Sequence, residues 1–89
     1  MILDTALMVG AAALAVSLVL ASLRVFRGPS LPDRVVALDL VSLLTAGLIL
    51  LHAIATDEAG WIDTAIIIAL ISFLGTVAFG LYLEKRAAE

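Results

Sequence analysis

Three long apolar runs separated by short polar segments leave this chain little choice of fold. They extend from about Thr5 to Leu23, from about Val35 to Ile54 and from about Trp61 to Leu83. Each is close to the ~20 residues that carry a helix across ~30 Å of hydrocarbon. Backbone groups in lipid have no water to bind and must be satisfied internally, which predicts helices. The remainder cannot form a soluble domain. The 89 residues are 64% hydrophobic and 15% charged, with a mean hydropathy of +1.24, whereas an ordinary globular chain is about half apolar and a quarter charged. So short a chain buries only a modest share of its surface on folding. Lipid or a membrane-embedded partner must cover the rest. The expected fold is all-α and integral to the membrane: a single membrane domain over residues 1–89, with spans at about 5–23, 31–54 and 61–83.

The first run reads as a permanent span. Asp4 stands where a secretory signal would carry a basic segment, the apolar run is longer than a signal core, and Arg24 and Arg27 follow it directly. Orientation follows from the basic residues. Arg24, Arg27 and Arg34 lie in or beside the first loop, and Lys85 and Arg86 lie in the tail. The N-terminal segment and the second loop (residues 55–60) carry only Asp4, Asp57 and Glu58. The positive-inside rule then predicts an external N-terminus and a cytoplasmic C-terminus. Trp61 and Tyr82 fall near the two interfaces, where amphipathic aromatics gather.

Several function classes are excluded or disfavoured. The formal net charge is −3 with no basic cluster, which argues against nucleic acid as a partner. No cysteine is present and His52 is the single histidine, so thiolate chemistry and a multi-histidine metal site within the chain are ruled out. No phosphate-binding loop, metal-ligand cluster or nucleophile–base pair is visible. The chain is expected to need no metal and no cofactor, and not to be an enzyme.

The first loop has legible chemistry. Gly28-Pro29 ends the first helix, Ser30 is suited to cap the second, Pro32 is tolerated in the first turn, and Asp33 is placed to complete an S-x-x-D capping box. The second helix should therefore begin near Leu31, before it enters hydrocarbon.

Few polar residues interrupt the spans, and each has a functional and a plain reading. Asp39 lies ~6 Å past Val35 along a helix. A carboxylate near the bilayer centre costs ~3 kcal/mol on insertion scales, less near an interface, so such a residue normally faces protein or water. It is a candidate proton or cation site, or else half of a salt bridge with a neighbouring subunit, or a carboxylate that reaches the cytoplasmic interface. Ser42 and Ala46 continue its stripe at i+3 and i+7. Asp63 is a candidate at an outer mouth, or simply an anion favoured by the helix dipole. His52 is ~20 Å and ~220° around the helix from Asp39, so no direct pair can form. It could approach Asp57 or Asp63 as part of a proton relay, or be an ordinary interfacial histidine. Ala13, Ser17 and Ala21 in the first span, and Ser72, Thr76 and Gly80 in the third, form small-residue rows that let helices approach.

The segment Arg24–Asp39, RVFRGPSLPDRVVALD, resembles the signature of the F subunit of Mrp-type multisubunit sodium/proton antiporters, also called Pha or Mnh systems. That family joins its first two helices by G-P-[ST]-x-x-D-R, with an acid five residues after the arginine. The matching positions are Gly28, Pro29, Ser30, Asp33, Arg34 and Asp39. The resemblance implies a multi-pass subunit in a bacterial or archaeal cell membrane, partnered by the other antiporter subunits and by lipid. The complex would exchange cytoplasmic Na+ (or K+) for external H+ and so serve pH homeostasis. Asp39 is the position the resemblance marks as functional.

Other readings compete. The chain could be a purely structural subunit of that complex, or a component of bile-salt or cation efflux. A rotor-ring subunit of ATP synthase has two spans and a mid-membrane carboxylate, and the third span here is clear. The K-type subunit of respiratory complex I carries glutamates within its spans, and none of the glutamates here does. A holin would share the size but not the loop motif.

Overall fold

The structure is a computed structural model that describes residues 1–88. It consists of three helices, α1 (Ile2–Arg27), α2 (Leu31–Thr56) and α3 (Gly60–Ala88). All three are long and apolar enough to cross a membrane. Each is longer than its apolar run. α1 and α2 have 26 residues and α3 has 29, about 39 to 43 Å at 1.5 Å per residue. Their ends therefore reach into the headgroup layers.

The helices stand in a single row. α2 packs against both neighbours, and among the described residues α1 and α3 make no contact with each other. The principal extents are 57 × 26 × 15 Å, so the shortest is little more than one helix diameter of about 10–12 Å. A row has no central core. Among the described residues the buried apolar side chains are all alanines: Ala21, Ala37, Ala46, Ala53 and Ala65. Large apolar side chains such as Met8, Val16, Leu20, Phe26, Ile71 and Leu74 are exposed on the broad faces. This inverts a water-soluble bundle and suits lipid, where close backbone approach rather than hydrophobic burial joins helices.

Close approach is visible between α1 and α2. A Cβ added to Gly10 would lie 3.4 Å from Leu51 Cδ1, and one added to Gly47 would lie 3.4 Å from Leu14 Cδ1. Each glycine thus receives a leucine of the other helix. The half-buried positions of α1 include Leu7, Gly10, Leu14 and Ser17, leading to buried Ala21. Their alternating steps of three and four are those of a heptad seam. The seam takes Ser17 and Ala21 from the small-residue row expected on this helix and leaves Ala13 exposed.

The α1–α2 corner explains its own sequence. Gly28 precedes a proline, which disfavours helical backbone. It adopts φ −58° and ψ 129°, while its N–H still donates to the Arg24 carbonyl. Ser30 is the N-cap of α2: its Oγ accepts from the Asp33 N–H at 3.3 Å. The Ser30 hydroxyl in turn donates to Asp33 Oδ2 at 2.9 Å. In a full capping box the carboxylate would instead take the N-cap backbone N–H, so the expected box is present in altered form. Arg34 Nε returns to the Gly28 carbonyl at 3.1 Å, and Arg24 approaches Asp33 at 3.9 Å. A Cβ on Gly28 would meet Arg34 Cγ at 2.9 Å and the Arg24 carbonyl at 3.0 Å. Glycine is required there by space, not by φ.

The second corner is equally short, with three residues between the helices as in the first. Asp57 ends α2 in the left-handed region (φ 57°, ψ 36°), and its N–H donates to the Ala53 carbonyl. This is a left-handed helix stop with aspartate in glycine's usual place. α3 begins three residues later.

Candidate functional site

Asp39 lies eight residues into α2, about 12 Å from the N-terminal end of that helix and about 6 Å past the start of its apolar run. Its carboxylate Oδ1 accepts a hydrogen bond from the Ser72 hydroxyl of α3. Among the described residues this is the one side-chain hydrogen bond that joins two helices. It marks the register of α2 on α3. Seven residues along α2 and seven back along α3, the same antiparallel alignment brings Ala46 opposite Ala65, both buried. Small residues at that level let the backbones close, and closure brings Ser72 within reach of Asp39.

Asp39 also lies between two clefts flanking this contact. One, of about 150 Å³, is lined by residues including Pro32, Val36, Phe79 and Gly80. The other, of about 280 Å³, is lined by residues including Leu38, Ser42, Ser72 and Gly75. Val35, Asp39 and Thr76 line both. Beside Gly75 and Gly80 there is open space. The carboxylate is half-buried and accessible from the clefts, with hydroxyls of α3 beside it.

The other expected site residues are not gathered here. Ser42 lines the larger cleft, but its hydroxyl donates to the Leu38 carbonyl at 3.2 Å. That bond back to its own helix is the common fate of serine within a helix. Thr45 does the same to Val41 at 2.8 Å. Asp63 lies in the first turn of α3, nine residues from Ser72, which is about 14 Å along the helix. It is placed to favour the helix dipole and is remote from Asp39. His52 packs edge-on against Trp61, with ring centroids 5.0 Å apart and planes at 85°. Trp61 Nε1 donates to Glu58 Oε2 at 3.1 Å. Among the described residues no hydrogen bond or ion pair links His52 to Asp57 or Asp63. These aromatics close the far end of the α2–α3 pair. Gly28, Pro29, Ser30, Asp33 and Arg34 form the corner described above, and they reach the site through Pro32 and Val35 on the first turns of α2.

Two residues beside Asp39 are placed differently from what their spacing suggests. Ser72 and Thr76 belong by sequence to a helix-packing row, but Ser72 bonds to the carboxylate and Thr76 lines both clefts beside it. No cluster of three or more His, Cys, Asp or Glu side chains that could hold a metal ion occurs among the described residues. The chemistry on offer is one carboxylate with a few hydroxyl oxygens. That suits a proton or a hard monovalent cation, and no single-chain cage is complete.

The family model described as Multiple resistance and pH regulation protein F (MrpF/PhaF) matches residues 32–84. The chain belongs to this family. The match takes in Asp33, Arg34, Asp39, Ser72 and Thr76, and so most of the α2–α3 pair. Among the curated relatives of this MrpF/PhaF chain is the F subunit of the Na+/H+ antiporter of Bacillus subtilis (strain 168), 39% identical over 72 residues, 81% of this chain and 77% of that one. Another is the F1 subunit of the Na+/H+ antiporter of Staphylococcus aureus, 37% identical over 70 residues, 79% and 72% of the two chains. A solved structure also matches: a chain of the membrane-bound sulfane sulfur reductase, an archaeal respiratory membrane complex. It is 39% identical, with a TM-score of 0.75 over 83% of this chain and 94% of that chain.

Proposed function

We propose that this chain is the small F-type subunit of a multisubunit Na+ (or K+)/H+ antiporter, and that it contributes Asp39 to the cation or proton path. The observation that carries the reading is a membrane-embedded carboxylate, bonded across helices to Ser72 and opening into two clefts. A carboxylate so placed is costly in lipid. The apolar faces on either side of the row can be covered by lipid, but Asp39 calls for water, an ion or a polar partner group. A row one helix thick, in which alanines are the only buried apolar side chains among the described residues, also gives the chain little reason to act alone. Its partners in this reading are the other antiporter subunits, and it catalyses no reaction of its own. Asp63 and His52 stand apart from the path and serve the outer ends of the helices. The basic corner at Arg24, Arg27 and Arg34 faces the cytoplasm and the N-terminus faces outward.

A second reading is favoured by one observation. The respiratory-complex chain is as similar, at 39% identity, as the Bacillus subtilis antiporter chain. The same fold would then serve as a membrane subunit of a respiratory complex. Deleting the gene separates the two. The antiporter reading expects loss of Na+-driven proton movement in inverted vesicles with respiratory electron flow intact. The respiratory reading expects electron flow itself to fall.

A further inference from the structure

We infer that Ser72 and Thr76 of α3, with Asp39 of α2, form the cation-exchange site, the serine hydroxyl serving alternately as hydrogen-bond donor to the carboxylate and as oxygen ligand to a partly dehydrated monovalent cation. The inference rests on the proposed role of Asp39 and deepens it.

Ser22 and Thr64 apart, serine and threonine hydroxyls elsewhere in these helices bond locally. Thr5, Ser17, Ser42, Thr45 and Thr56 all donate to the carbonyl four residues back. A hydroxyl so engaged is satisfied within its own helix. Ser72 instead donates across the helix contact to Asp39. Thr76 lies one turn further on the same face of α3. It lines both clefts beside Asp39, and among the described residues its hydroxyl takes no side-chain bond. Ser72 is therefore the hydroxyl bonded to the carboxylate, Thr76 is the one that shares both of its clefts, and the nearest hydroxyl on α2, Ser42, is committed elsewhere.

A hydroxyl both donates and accepts, and its hydrogen rotates to suit. With Asp39 ionised and no cation bound, Ser72 donates to it. With a cation on the carboxylate, the Ser72 hydrogen turns away and its lone pair faces the ion. With Asp39 protonated, the acid O–H can donate to Ser72 Oγ. One carboxylate carries one negative charge, so proton and cation replace each other there, and charge balances one for one. Hard cations prefer oxygen ligands. The carboxylate and two hydroxyls supply part of a shell, and water or a neighbouring subunit supplies the remainder.

The test uses the complete complex in inverted vesicles from a host lacking other antiporters, with assembly followed on native gels. Ser72→Ala is expected to assemble and to raise the cation KM about tenfold, the size of a lost hydrogen bond or ligand at an ionised group, with maximal rate changed much less. Ser72→Thr, which keeps the hydroxyl, is expected to restore the KM to within about threefold. Thr76→Val should raise KM in the same direction. An unchanged KM in assembled Ser72→Ala overturns the inference. So does a loss of activity explained by failed assembly that Ser72→Thr does not repair. Asp39→Asn is run alongside. If it leaves antiport intact, the role of Asp39 itself fails. If it abolishes antiport while Ser72→Ala retains the wild-type KM, only the hydroxyl inference fails.

Discussion

Replacing Gly28 by alanine adds one methyl group where there is no room for it. The new Cβ would lie 2.9 Å from Arg34 Cγ, 3.0 Å from the Arg24 carbonyl and 3.3 Å from the Arg34 N–H nitrogen. Cγ sits near the root of its side chain, so Arg34 cannot relieve the contact by moving its tip alone. Pushing the side chain off its rotamer costs about 0.5–1.5 kcal/mol. The bond from Arg34 Nε to the Gly28 carbonyl is then strained or lost, worth about 1 kcal/mol because Arg34 is exposed. Against this, alanine lowers the entropy of the unfolded chain by about 0.4–1 kcal/mol, since φ −58° suits any residue. The net expectation is a destabilisation of about 0.5–2 kcal/mol, a fall of roughly 3–11 °C in melting midpoint for a chain of this size. Size-exclusion of the detergent-solubilised protein after a temperature ramp would read it. Gly60→Ala is the control, because nothing lies within 4 Å of its added Cβ. Gly28→Ala combined with Arg34→Ala should cost clearly less than the sum of the two single changes, as groups in contact couple. A Gly28→Ala midpoint equal to wild type, or strict additivity in the double variant, would refute this explanation of the corner.

Two further expectations concern topology and helix pairing. The chain lacks cysteine, so single cysteines report orientation cleanly: Glu58→Cys should react with an impermeant maleimide from outside intact cells and Arg86→Cys should not, the reverse pattern inverting the assignment. Gly47→Leu should overpack the α1–α2 seam against Leu14 and cost about 1–3 kcal/mol, read as a lower midpoint, whereas a neutral result would show that the seam is not close-packed.

What the sequence disclosed depended on the range of the physics. The spans are legible because crossing hydrocarbon sets their length and polarity residue by residue. The corner is legible because Gly28, Pro29, Ser30 and Asp33 act on neighbours within one turn. The N-cap bond is as expected, and only the carboxylate's partner differs, the Ser30 hydroxyl in place of a backbone N–H. Asp39 stands out because a carboxylate in a span is expensive. Its partner is not legible. Ser42 is close in sequence and shares its stripe, but helical backbone offers that hydroxyl the Leu38 carbonyl first. Ser72 is 33 residues away, and the pairing depends on the register of two antiparallel helices, which small residues such as Ala46 and Ala65 set together. The same limit applies to His52. Its partner follows from the tight turn after Asp57, which returns Trp61 to its side. The small-residue row of α1 is only partly used, because a heptad seam steps by three and four and so passes Ala13 by.

The most direct test of the role of Asp39 is Asp39→Asn in the complete complex, scored at once for assembly on native gels and for cation-driven proton movement in inverted vesicles. The amide keeps the size of the side chain and can still accept from Ser72, but it cannot carry the charge that a proton or cation exchanges on. The predicted result is an assembled complex with antiport sharply reduced. Full antiport in an assembled Asp39→Asn complex, or loss of antiport only in step with loss of the complex, would contradict that role.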